Sequence, residues 1–204
     1  MPLTAAIVAA LASQCALEVS TATLLPLVQV ESAFDPLAIG VNAPSPAQLH
    51  PRTTTEAIEV ATRLIASGAN IDLGLGQINS ANLAPLGLSV ADAFIPCRNL
   101  HAAAQVLTAA YRSQKPATGQ EQPALRIALS LYNTGRTDRG FRNGYVAKVV
   151  AAAGQTVPAL KADTTPMLSA APLSAPSWDV FAQRTTGFVL TTTASDSSAQ
   201  GDTP

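Results

Sequence analysis

The sequence predicts a mostly α-helical domain with at most a small β element, followed by a disordered C-terminal tail. Three observations carry this reading. Apolar residues recur at helical spacing in six segments up to about residue 152, one stretch around Leu73 alternates with period two, and beyond Gly154 the chain turns to Ala, Pro, Ser and Thr. A length of 204 residues suits one domain of ordinary size with an appendage, divided here into residues 1–152 and 153–204.

Leu3 to Ala16 is apolar and rich in small residues. It is too short to span a bilayer and lacks the preceding Lys or Arg of a secretory leader. It therefore reads as a helix burying Ile7, Ala10 and Leu11, with Gln14 and Glu18 marking the end of that stripe. Thr23 can cap the second helix, with Pro26 tolerated in its first turn and Asp35-Pro36 ending it. Pro36 to Arg52 carries Gly40, Pro44, Pro46 and Pro51 and reads as an extended loop. Thr53-x-x-Glu56 is a capping box for a third helix, whose apolar face is Ala57, Ile58, Ala61, Leu64 and Ile65 and whose stop is Gly68.

In Ile71-Asp72-Leu73-Gly74-Leu75-Gly76-Gln77-Ile78-Asn79, the residues Ile71, Leu73 and Leu75 alternate as in a short strand. Gly74 and Gly76 remove side chains where backbone or ligand can approach closely. A third glycine and a following helix are missing, which excludes a dinucleotide site, and no cofactor is expected. Asn82 to Leu88 and Ser89 to Phe94 form short helical pieces. Pro96 then precedes a helix from Arg98 to about Ser113, with Leu100, Ala104, Leu107 and Tyr111 on one side. Pro123 opens another helix with the stripe Leu125, Ala128, Leu129 and Tyr132, stopped by Asn133-Thr134-Gly135. After a polar loop from Arg136 to Asn143, a last helix starts near Gly144 and carries Tyr145, Val146, Val149 and Val150.

In the tail, Pro158, Pro166, Pro172 and Pro176 are too close together for long helices. Trp178-Asp179-Val180-Phe181 holds the chain's only tryptophan, and such stranded aromatics mark either a docking peptide or a segment that packs back on the domain. A net charge of -1 with 12% charged residues provides no basic field for nucleic acid. His50 and His101 carry no ligand spacing, so no metal site is expected.

Glu31 is the residue that asks for an explanation. Leu24, Leu27, Val28 and Glu31 are spaced i, i+3, i+4, i+7, so a carboxylate continues an apolar stripe. Held there, it would lose hydration and its pKa would rise, as a general acid requires. A glutamate that bends out from a fraying helix end fits the same spacing. Cys15 and Cys97 are the only cysteines and fit either two reduced core thiols or one disulfide, which would stabilise the fold by about 4 kcal/mol in the chain-entropy model.

Three fragments follow one another in order: Glu31-Ser32-Ala33-Phe34-Asp35-Pro36, Gly74-Leu75-Gly76-Gln77-Ile78-Asn79 and Leu131-Tyr132-Asn133-Thr134-Gly135. Together they resemble the three motifs of soluble, goose-type-lysozyme-like lytic transglycosylases, over roughly residues 1 to 152. The run Ala69 to Asn79 is similar to the branch associated with type IV secretion systems, and the tail resembles that branch's C-terminal extensions. This resemblance implies a lysozyme-like α+β domain in which Glu31 is catalytic and Ser32 supports it by a hydrogen bond. Gln77 and Asn79 would line the saccharide groove, Tyr132 and Asn133 would border the scissile bond and the N-acetyl group, and Tyr145 would approach Glu31. Where the family often has a long apolar residue this chain has Gly76, so a more open groove wall is expected there. Relatives of the branch carry a second cysteine pair at positions occupied here by Ala110 and Leu131; its absence makes Cys15 with Cys97 the natural bridge and implies an oxidising compartment.

The resemblance further implies a periplasmic enzyme, though without a clear signal peptide in this sequence. It would act on peptidoglycan glycan strands, with secretion components as partners of the tail and with no nucleic acid and no membrane span. It would cleave the β-1,4 bond between N-acetylmuramic acid and N-acetylglucosamine and leave a 1,6-anhydro end. Asp35, one turn beyond Glu31, is the second carboxylate nearest in sequence, but directly before Pro36 it reads as a helix end. A hydrolytic muramidase and a non-catalytic peptidoglycan-binding module are the rival readings.

Overall fold

The computed structural model describes residues 1–42, 46–114 and 120–156. Seven α-helices, two short 3-10 helices (Ser80–Asn82 and Asp92–Phe94) and four short strands occur among them: α1 Ala5–Cys15, α2 Thr21–Ser32, β1 Ile39–Val41, β2 Ala47–Leu49, α3 Thr54–Ala66, β3 Ile71–Leu73, β4 Ile78–Asn79, α4 Pro96–Ser113, α5 Glu121–Thr134, α6 Arg139–Arg142 and α7 Tyr145–Thr156. The expected class, mostly helical with a small β element, is the one observed. Trp178-Asp179-Val180-Phe181 and most of the tail lie outside the described residues.

α2 lies in the middle of the helical layer, packed on α1 and α7, while α4 packs on α1 and α5. Leu24, Leu27 and Val28 of α2 are fully buried. Burial of each such side chain contributes about 1.5 to 3 kcal/mol, so the α2 stripe anchors the helix that carries Glu31. The strands form one antiparallel sheet in the order β2-β1-β3-β4. Ile39 pairs with Leu73, Gly40 with Asp72 and Asp72 with Asn79, and this register sets the polar side chains of Asp72 and Asn79 together on the cleft.

Three local expectations are corrected. The buried face of α1 is Val8 and Ala12, with Leu11 and Cys15 beside them, while Ile7 is exposed. A helix of alanines and branched apolar residues has no polar side to orient it. Packing on α2 and α4 and the bridge from Cys15 to Cys97 choose the face instead. α2 begins one turn earlier than expected, capped by the Ser20 hydroxyl, which accepts from the Ala22 N–H at 3.2 Å. Thr23 is consequently buried inside it, and Pro26 interrupts the backbone ladder within the helix. Pro36 to Arg52 is not a plain loop, because it contains β1 and β2. Their three-residue strands are too short to show a period beside so many prolines.

The capping box holds with one change. Thr53 Oγ1 accepts from the Glu56 N–H at 3.1 Å, but the Glu56 carboxylate accepts from the Arg52 N–H at 2.8 Å. The Cys15–Cys97 disulfide joins the end of α1 to the start of α4. None of the described helices is long and apolar enough to cross a membrane.

Candidate active site

The apolar stripe of α2 ends where the helical layer meets the sheet, and Glu31 emerges there into a cleft of about 670 Å³. Its carboxyl Oε1 accepts a short hydrogen bond from the Tyr145 hydroxyl of α7. Loss of hydration pushes the Glu31 pKa up from the ordinary 4.5 to about 7; the Tyr145 hydrogen bond works against this shift, and the nearby negative charge of Asp72 adds to it. A group poised at that value can both give and take a proton near neutral pH. The solvent-directed alternative for Glu31 is thereby set aside.

Just beyond Glu31 the chain turns sharply, with Ala33 and Phe34 both in the left-handed region at φ 51 and 66. Gln77, on the facing loop, is a third non-glycine residue of this kind at φ 49. Such strain persists where surrounding contacts over-determine the backbone. Ser32 is one of those contacts. Its hydroxyl is buried and donates to the Leu75 carbonyl at 2.8 Å, tying α2 to the loop after β3, rather than to the Glu31 carboxylate as expected.

Sequence reasoning overlooked Asn99, the fully buried amide that shapes this loop. Its Oδ1 accepts from the Gly76 N–H at 2.7 Å, and its Nδ2 donates to the carbonyls of Leu73 and Ala93 at 2.8 and 2.7 Å. Gly74 must be glycine for two reasons: its φ is +72, and a Cβ there would lie 2.4 Å from the Ala93 carbonyl oxygen. At Gly76 a Cβ would come within 2.7 Å of Ala103 Cβ and 3.0 Å of the Tyr132 hydroxyl. The groove wall beside Gly76 is thus filled by α4 and Tyr132, not opened. Gln77 points its amide inward, donating to the carbonyls of Gly74 at 2.9 Å and Ala38 at 3.2 Å, while its Oε1 accepts from Gln48 at 3.4 Å.

On the sheet side, four polar side chains close a ring. Asp72 accepts from Asn79 Nδ2 at 2.7 Å and from Asn42 Nδ2 at 2.9 Å. Both amides also donate to Asn70 Oδ1, at 2.8 and 2.6 Å. Burial raises the Asp72 pKa, and the hydrogen bonds from Asn42 and Asn79 draw it back. Asn79 additionally caps the next turn by accepting from the Ala81 N–H at 3.0 Å. Asp72, Asn42 and Asn70 escaped the sequence reading; the available signal was a carboxylate between two apolar residues of the strand, directly before the glycine pair.

The remaining wall comes from the end of α5. Tyr132 donates its hydroxyl to the Gly76 carbonyl at 2.6 Å, and burial with the charges of Glu31 and Asp72 pushes its pKa well up. Asn133 lines the cleft and accepts from Asn143 Nδ2 at 3.0 Å. Arg139 of α6 also lines the cleft. An adjoining cavity of about 240 Å³ continues past Glu31, Asn133 and Asn143 to Tyr145 and Lys148. The fold therefore gathers Glu31, Gln77, Asn79, Tyr132 and Asn133 around one cleft, with Tyr145 against Glu31 and Ser32 buried behind it.

Asp35 lies elsewhere. Its carboxylate accepts from the Leu37 N–H at 3.1 Å and pairs with His50 at 2.8 Å, bordering a separate cavity with Pro51 and Arg52. His101 sits near Glu18 at 3.7 Å. Among the described residues no group of three or more His, Cys, Asp or Glu comes together to ligate a metal ion.

Comparison with known proteins accords with this geometry. The chain is 43% identical over 159 residues to Protein virB1 of Rhizobium radiobacter, covering 78% of this chain and 66% of that protein. It is 43% identical over 151 residues to Protein virB1 of Agrobacterium fabrum, covering 74% and 61%. With the type IV secretion system protein virB1 of Brucella abortus it shares 43% over 152 residues, covering 72% and 63%. The chain spans slightly less than two thirds of the length of these relatives. No solved structure matches it. Residues 9–150 match the model of the transglycosylase SLT domain, and the chain belongs to that family.

Proposed function

We propose that this protein is a peptidoglycan lytic transglycosylase, with Glu31 as its single acid and base. The observation that carries this reading is a carboxyl group with a pKa of about 7, hydrogen-bonded by Tyr145, at the wall of a polar cleft in an SLT-family domain. Protonated Glu31 donates its proton to the glycosidic oxygen between N-acetylmuramic acid and N-acetylglucosamine, the anomeric C–O bond breaks, and the N-acetylglucosamine side leaves as an alcohol. The substrate's N-acetyl oxygen supports the anomeric carbon. The Glu31 carboxylate then takes the proton of the muramoyl 6-hydroxyl, whose oxygen attacks the anomeric carbon and closes a 1,6-anhydro ring without water. Asn133 and Tyr132 orient the N-acetyl group, and Gln77 and Asn79 shape the groove, roles that depend on pre-set geometry.

By likeness to the Brucella abortus type IV secretion system protein, the enzyme would open the wall locally for a secretion apparatus in the periplasm. Residues 153–204 would form a separate tail that docks on its components. The second reading, a hydrolytic muramidase, has one observation in its favour: a second carboxylate, Asp72, lines the same cleft. Mass spectrometry of digested sacculi separates the two, since anhydro ends mean transglycosylase and reducing ends mean hydrolase. Digestion by the wild type with none by Glu31→Gln is the expected result; a binding protein that releases no muropeptides would end both readings.

A further inference from the structure

We infer that Asp72 is a positioning residue of this reaction: a second carboxylate, fixed on the cleft wall by Asn42 and Asn79, whose charge biases Glu31 toward its proton and offsets the positive charge that develops on the sugar. The inference rests on the transglycosylase reading and deepens it. Three features of the site carry it.

First, Asp72 and Glu31 line the same cleft, one on β3 and one at the end of α2. Second, the ring around Asp72 is made for an anion. Each carboxylate oxygen accepts from an amide, and the second N–H of each amide is committed to Asn70. Protonation of Asp72 would weaken the oxygen as an acceptor for these amides, so both hydrogen bonds favour the charged form. Third, β1 opposes Asp72 with Gly40, and the space a side chain would take there holds the Gln77 amide, whose Oε1 lies 2.8 Å from where a Cβ would stand, so a groove residue borders the carboxylate on that side.

The other groups around Glu31 do not duplicate this effect. Tyr145 of α7 donates to Glu31 and favours its ionised form. Tyr132 of α5 is neutral, its hydroxyl committed to Gly76. Arg139 of α6 and Lys148 of α7 line the cleft and the adjoining cavity, and a positive charge acts with the opposite sign to a carboxylate. Asp72 is the charged group on the cleft that acts the other way. In the transition state its fixed charge needs no reorganisation to meet a cation, which is how enzymes draw most from electrostatics.

The test compares wild type, Asp72→Asn and Asp72→Glu, using muropeptide release from sacculi over pH 4.5 to 9 and a carbon NMR titration of the Glu31 carboxyl. For Asp72→Asn, kcat falls about tenfold or more with KM nearly unchanged. Both the alkaline limb of the rate profile and the Glu31 titration move to lower pH, and Asp72→Glu restores them in part. A variant that keeps wild-type kcat, or whose Glu31 titration stays in place, overturns the inference. Should Asp72→Asn fail to fold, Asn42→Ala strips one amide from the carboxylate, favours its protonated form and must shift the Glu31 titration in the same direction. Wild-type protein that leaves sacculi intact refutes the transglycosylase reading instead, and the NMR titration still judges the electrostatic coupling.

Discussion

On the helical wall of the cleft, Glu31 receives one side-chain hydrogen bond, from Tyr145, whereas on the sheet wall Asp72 receives two, from Asn42 and Asn79. The difference comes from the elements that carry them. A buried helix surrounds a side chain with neighbours three and four positions back, here Val28 and Leu27, which bury it and donate nothing. An antiparallel strand instead sets a side chain beside its cross-strand partners, and the register places Asn79 opposite Asp72. Burial is the largest influence at both carboxyls and raises both, but at Asp72 two amide donors oppose it, whereas at Glu31 a single hydroxyl does.

Breaking the helical wall should have the largest effect. Glu31→Gln is expected to lower muropeptide release about a thousandfold while the protein stays folded. Its stability should separate from wild type in a pH-dependent way. Because the folded-state pKa of Glu31 lies above its ordinary value, the native protein holds a proton that the unfolded chain has lost between pH 4.5 and 7, so wild-type stability falls as pH rises through that window. The variant lacks this slope and should be more stable above pH 7 by about 1 to 3 kcal/mol in urea unfolding. A melting temperature far below wild type would mark Glu31 as structural.

Next in size is the scaffold of the sheet wall. Asn99→Ala leaves the Gly76 N–H and the Leu73 and Ala93 carbonyls short of a partner in a buried site, at a cost of about 2 to 3 kcal/mol by urea unfolding. A near-neutral result would mean that the glycine loop holds its shape without the amide. Tyr145→Phe should reduce activity about tenfold. Since the lost hydrogen bond favoured ionised Glu31, the alkaline limb should move to higher pH, opposite in sign to the change expected for Asp72→Asn. Equal signs would erase the contrast between the two walls. The smallest effect belongs to Asp35→Asn, which can still accept from Leu37; its pH–activity profile should match wild type, and its stability should stay within about 1 kcal/mol.

Much of the helical scaffold was legible because amphipathic spacing and end signals act locally. The stripe of α5, the glycine stop at Gly68 and the stop at Gly135 all appear where the sequence placed them. The face of α1 was not legible, since a helix apolar on all sides leaves the choice to its partners. Nor were β1 and β2, whose few residues acquire order only by pairing. At the site, Glu31 was recognisable as a carboxylate out of place, and motif likeness pointed to Gln77, Asn79, Tyr132 and Asn133. Ser32 was assigned the wrong partner, because a hydroxyl beside an acid in sequence can point to a loop 43 residues away.

By itself, then, the sequence determined the helices, the interruption at the glycine pair, and the oddity of an acid on a greasy stripe. These depend on patterns within one or two turns of chain, where periodicity and backbone chemistry decide. Only the tertiary structure decided that Asp72 shares a cleft with that acid, and it set Tyr145, which motif likeness had pointed to, against the carboxyl. Tyr145 and Asp72 lie 114 and 41 positions from it, and their effect on its proton arises from proximity, from lost water and from the donors each neighbour can still supply.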